Sequence, residues 1–166
     1  MSDLYIAYNG AAPTTAALVP VTTGTAIKSM LQIASPSTRP LTIVEWGISF
    51  DGSAAATPIR CELIQTDVAA TVTAHVAAGV QCITDPNGPA SLVTLGTAAT
   101  GYTATAEGTI TATRSFDTQF IAPTNQYVKQ WPLGREPQLP ISKFLRVRVT
   151  AIAAVNAYCY VVWGEF

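Results

Sequence analysis

Hydrophobic and polar residues alternate with a period of two along several short stretches of this chain, each bounded by proline, glycine or asparagine. That is the pattern of strands with one buried face. Residues 41–50 (LTIVEWGISF) set Val44, Trp46, Ile48 and Phe50 on one face, with Ile43, Glu45, Gly47 and Ser49 on the other. Pro40 precedes the run, and Asp51-Gly52-Ser53 closes it with turn-forming residues. Residues 59–66 (IRCELIQT) place Ile59, Cys61 and Leu63 opposite Arg60, Glu62 and Thr66. Only a short Ala/Thr/Pro segment separates the two runs, which predicts that they pair antiparallel.

Near the end of the sequence, residues 143–150 (KFLRVRVT) alternate Leu145, Val147 and Val149 against Phe144, Arg146 and Arg148. Residues 157–166 (AYCYVVWGEF) are aromatic or β-branched on both faces, which predicts a central strand. Weaker strand patterns cover residues 4–8, 27–34, 92–95, 105–113, 116–121 and 127–131. Residues 67–80 (DVAATVTAHVAAGV) are open to a short helix or an ordered loop, since the alanines favour helix and Thr71, Val72 and Thr73 oppose it. The Gly/Pro/Ala/Thr-rich stretch 85–108, opened by the turn signal Asp85-Pro86-Asn87-Gly88, reads as a long excursion or a solvated loop. Eight to ten short strands with turns between them predict a single-domain antiparallel β-sandwich, jelly-roll-like, over residues 27–166, with a long loop region around 67–108. Residues 1–26 are expected to be a leader or an arm that reaches a neighbour.

Composition sharpens the picture. Of the 166 residues 11% are charged and 49% hydrophobic, and the formal net charge is −1, against roughly 25% charged in an ordinary domain. Nine Lys and Arg residues, spread along the chain, give no basic stripe to displace counterions from nucleic acid. No apolar run is long enough for a membrane-spanning helix, and the start of the sequence lacks a signal-peptide pattern. Cys61, Cys82 and Cys159 are odd in number and lack metal-site spacing, so they are expected as small hydrophobes in a reducing cytoplasm.

Candidate chemistry is sparse. The chain has no GxSxG, GxxxxGK[ST] or GxGxxG motif, and its one histidine, His75, rules out HExxH and reads as a surface or loop residue. No acids stand in a recognisable catalytic pair. An enzyme, a small-molecule substrate and a cofactor are therefore not expected. Trp46 and Trp163 read as core; Trp131, beside a proline-rich loop, is open to exposure as a sugar platform. That loop, residues 130–140 (QWPLGREPQLP), holds Trp131, Leu133, Arg135, Glu136 and Leu139 in a stiff frame of three prolines. It is suited either to docking or to connecting two strands. Arg146 and Arg148 emerge on one strand face and, with Lys143, form a basic patch that either pairs with a neighbouring subunit or is solvated.

Residues 44–52 (VEWGISFDG), 57–66 (TPIRCELIQT), 130–140 and the closing YVVWGEF resemble small proteins encoded beside head genes in tailed bacteriophages, which look like capsid decoration, or cement, proteins. The resemblance spans roughly residues 26–66 and 127–166. It implies a compact β-fold and a homotrimer on the outer surface of a virion, made in the host cytoplasm. Its partner would be the major capsid protein, and it would reinforce the shell without catalysis. Partner contacts are then expected at Trp131, Leu133, Arg135, Glu136, Leu139, Lys143, Arg146 and Arg148. Two other readings stay open: a tail, fibre or head-spike component, and a β-sandwich carbohydrate-binding module.

Overall fold

The computed structural model describes every residue except Met1, Ser2, Pro13 and Ile110. Among the described residues, thirteen strands form two antiparallel sheets packed face to face, an all-β sandwich. They are β1 (Leu4–Tyr8), β2 (Val21–Thr22), β3 (Lys28–Ala34), β4 (Leu41–Phe50), β5 (Ile59–Thr66), β6 (Thr71–Ala74), β7 (Val80–Cys82), β8 (Gly101–Ala106), β9 (Ala112–Ile121), β10 (Gln126–Gln130), β11 (Gln138–Leu139), β12 (Phe144–Thr150) and β13 (Asn156–Gly164). One sheet runs β10-β4-β13-β1-β7, with β11 added to β4 and β2 to β13; the other runs β6-β8-β3-β12-β5-β9. The chain crosses between sheets from β2 to β3, β3 to β4, β4 to β5, β6 to β7, β7 to β8, β9 to β10, β11 to β12 and β12 to β13.

These crossings correct one expectation: β4 and β5 do not pair but lie in opposite sheets. Their connection is held across the end of the sandwich, where Gly52 N–H donates to Pro123 O (2.7 Å) and Asp51 N–H to Asn156 O (3.2 Å). β5 pairs instead with β12 and β9. β13 is central as expected, between β4 and β1.

The faces of β4 also differ from simple alternation. Glu45 pairs with Val162 and Ile43 with Trp163, leaving Val44 as an extra residue in the strand. Such a bulge reverses which side chains point inward beyond it. Leu41 and Ile43 on one side of it, and Trp46 and Ile48 on the other, therefore all enter the core, while Val44 is half-buried. Cys61, Leu63, Leu145, Val147 and Val149 fill the core from the opposite sheet, and Cys159, Val161 and Trp163 from β13 beside β4.

Residues 67–80 hold β6 and then a single 3-10 turn (Ala77–Gly79) leading into β7, not an α-helix. Thr71, Val72 and Thr73 decide the matter, because β-branched side chains favour an extended backbone. Residues 92–95 make no strand, only a bridge from Leu95 to Thr100. Of the stretch 105–113, Ile110 lies outside the described residues; Ala106 ends β8 and Ala112 begins β9. Within residues 1–26, Leu4–Tyr8 is an inner strand between β13 and β7, and Val21–Thr22 adds to β13.

Candidate functional site

The sequence-predicted contact residues fall into two groups. Trp131 follows β10, donates its backbone N–H to Val44 O (3.1 Å) and packs half-buried against the core. The Lys129 ammonium lies 5.6 Å from its ring centroid, so it is not an open sugar platform. Pro132, Leu133, Gly134 and Arg135 make a tight turn closed by Arg135 N–H to Pro132 O (2.9 Å). Gly134 has φ +83°, which the third position of such a turn requires. Glu136 accepts the Gly134 N–H at 2.7 Å. Leu133, 96% exposed, stands at the tip beside exposed Arg135. Leu139 does not join them: it is 0% exposed, in β11 opposite Leu41, a core residue.

The basic residues are matched within the chain. Lys143 Nζ lies 2.8 Å from Asp67, and Arg148 Nε donates to Glu62 at 2.8 Å. Arg146 is 0% exposed, because the excursion folds back over the outer face of β12. Its guanidinium donates to Glu107 O (3.0 Å), to the Glu107 carboxylate (3.3 Å) and to Val68 O. Glu107 in turn accepts the Ser29 N–H (2.5 Å) and hydroxyl (2.7 Å). The alternation placed these side chains on the right face, but not at a free cationic surface.

Two surface features were not expected from sequence. The first is a groove of about 550 Å³ on the outer face of β10, β4, β13 and β1, walled by Tyr8, Leu18, Val128, Tyr158 and Tyr160. One cross-strand row runs Val128, Gly47, Tyr160, Tyr8. The Tyr160 ring lies across Gly47, where any Cβ would come within 2.5 Å of it. Tyr160 donates its hydroxyl to Glu45 (2.5 Å) and Tyr158 to Leu18 O. Tyr8 and Tyr160 tilt together at 5.8 Å and 45°. The signal was present in the i, i+2 spacing of Tyr158 and Tyr160, which put aromatic rings on the face away from the core.

The second is the end of the sandwich at which β4 meets β13. Residues 23–27, 51–58, 122–125 and 151–155 gather there, joined by the Gly52–Pro123 and Asp51–Asn156 bonds and by Thr23 N–H to Val155 O (2.8 Å). Asp51 is their one ionisable side chain, and its two oxygens accept from the Asn156 backbone and side chain. Ile152 is 76% exposed there, among exposed Ser53, Ala54, Ala55, Thr57, Pro58, Ala153 and Ala154.

The reactive groups are committed elsewhere. Burial pushes the Cys61 thiol up to about 12 and the Cys159 thiol well above its usual range. Among the described residues, no three of His, Cys, Asp and Glu stand together as a metal-holding group. His75, expected at the surface, is buried with its ring 4.8 Å from Tyr102. Its Nε2–H donates to Tyr8 O at 2.7 Å, which the carbonyl, able only to accept, dictates. Burial pulls its pKa below 6.5, opposed by that bond. The unfolded chain therefore takes up a proton that the folded one refuses, and stability falls as pH drops from 6.5 toward the folded pKa. Urea midpoints measured across that window should slope in the wild type and flatten in His75→Gln; an equal slope in both would rule this out.

Compared with protein-family models, with curated proteins and with solved structures, the chain has no match.

Proposed function

We propose that this chain is a non-enzymatic structural protein that decorates the outside of a viral capsid and reinforces it by bridging subunits of the major capsid protein, as a homotrimer. The observation that carries the reading is the nearly charge-free loop end around Ile152. Small neutral side chains give up water at little cost, whereas an unpaired charge buried in a contact costs several kcal/mol, roughly. A surface of Ala, Thr, Pro and Ile with one internally bonded carboxylate is thus suited to lying flat against another protein. The choice of a capsid as that partner rests on the resemblance to phage decoration proteins.

The Leu133 turn supplies a second contact point at the other end of β4, beyond the β11 pairing at Leu41. A protein that grips two neighbours adds modest contacts into strong retention. It also stabilises the shell by mass action, through binding the assembled lattice in preference to free subunits.

The test is the number of copies per purified particle, measured against the major capsid protein by quantitative mass spectrometry. A ratio near one, reduced several-fold by Ile152→Glu and by Leu133→Glu but not by the exposed control Ala90→Glu, is the expected result. A few copies per particle would place the chain in a tail, fibre or head spike. Absence from particles, or equal occupancy in all variants, would sink the decoration reading.

A further inference from the structure

We infer that the tyrosine groove of the β10-β4-β13-β1 face binds a neutral saccharide. This goes beyond capsid decoration and rests on different residues. No Lys, Arg, Asp or Glu lines the groove. The adjacent Glu45 has one oxygen occupied by the Tyr160 hydroxyl (2.5 Å) and the other by Gln130 Nε2 (3.3 Å). A phosphate, sulfate, carboxylate or ammonium ligand finds no counter-charge there, so desolvating it goes uncompensated.

The groove offers aromatic faces together with uncommitted neutral hydrogen-bonding groups. Tyr8, Ser49 and Gln126 are among its lining residues, and the side-chain hydroxyls and carboxamide of the three bond to no described residue. A purely aliphatic ligand would leave them unpaired. A sugar ring presents an apolar face of C–H groups, with hydroxyls around its edge that both donate and accept. Tyr160 reaches over Gly47, which has no side chain to hold the ring off the sheet, so an aromatic ring covers the sheet at this point of the wall. Tyr8 meets that ring at 45°.

The rings are also fixed in advance. Tyr160 is tied to Glu45 and Tyr158 to the Leu18 carbonyl, so little side-chain freedom is lost on binding. The volume, about 550 Å³, lies within the usual range of ligand pockets.

The test uses saturation-transfer NMR and calorimetry on the full chain, with maltotriose, cellotriose, chitotriose and xylotriose as probes and octaproline as the peptide comparison. At least one trisaccharide should receive saturation and bind, with affinity reduced on the order of tenfold by Tyr8→Ala. Tyr8 is 39% exposed, and its hydroxyl bonds to no described residue. The variant gives up the ring contact with Tyr160 and should therefore melt only a few degrees, about 2–4 °C, below wild type, which separates loss of a contact from loss of fold. Gly47→Ala, which displaces the Tyr160 ring, should weaken binding likewise. The inference is overturned if none of the four sugars binds, if binding survives Tyr8→Ala unchanged, or if octaproline alone occupies the groove.

Discussion

Arg146→Ala should cost about 3–5 kcal/mol of unfolding free energy, the size of the loss when one partner of a buried ion pair is removed. Against a typical total of about 5–15 kcal/mol, that brings the protein close to unfolding at room temperature. The reason lies in what remains. Glu107 would keep its half-buried charge with the Ser29 N–H and hydroxyl as its remaining hydrogen bonds, and Val68 O would keep only the Thr66 hydroxyl of its two donors. Arg146→Lys should rescue little, since a point cation cannot fork between Glu107 and the Val68 carbonyl. Burial, which already pulls the Arg146 pKa down, would disfavour a charged lysine further. The double variant Arg146→Met, Glu107→Gln should lose less than Arg146→Met alone, because glutamine still accepts from Ser29 without a stranded charge. Equal losses in urea titrations of the two would show that the pair is not the source of the stability.

Asp117→Ala should cost about 3 kcal/mol by a different route, through hydrogen bonds left unmade in a buried place. Asp117 is 8% exposed and accepts from Trp46 Nε1 (3.1 Å), the Tyr127 hydroxyl (2.8 Å) and Gln119 Nε2 (3.0 Å), with Lys129 at 3.8 Å. It binds β9 of one sheet to β4 and β10 of the other. Tyr127 reports on this junction: burial first, and then the bond to Asp117, raise its pKa from 10.0 to about 12. Between those two values the folded chain holds a proton that the unfolded chain has released, so stability falls as pH rises through the window. In Asp117→Ala the phenol should ionise at lower pH and the alkaline window should narrow. An unchanged phenolate titration would mean that the bond does not hold the phenol neutral.

Local pattern made much of the fold legible. Leu145, Val147 and Val149 could be placed on the core face of β12, and Trp46 and Trp163 in the core, because alternation is a property of the strand itself. What depends on a second strand was not legible. The bulge at Val44 exists only in the register between β4 and β13. The crossing from β4 to β5 depends on bonds from residues 51 and 52 to residues far along the chain. Arg146 shows the same limit at the site: its face was readable, but not that Val68 and Glu107 would cover it. Tyr158 and Tyr160 were legible as marks of a central strand. The groove beside them was not, since it also takes Ser49 of β4, Val128 of β10 and the loop carrying Leu18.

The loop end around Ile152 has a physical consequence apart from its shape. Raising ionic strength from 0.01 M to 1 M shortens the Debye length from about 30 Å to about 3 Å, but screening acts only on charge. Asp51 is the one ionisable group of the segments gathered there, and both its oxygens are already bonded, while the Lys28 ammonium at the edge is held by Thr22 O. A contact made there will hardly respond to salt. It will respond to temperature, weakening on cooling as apolar contacts do, so cold and not brine is what would loosen it.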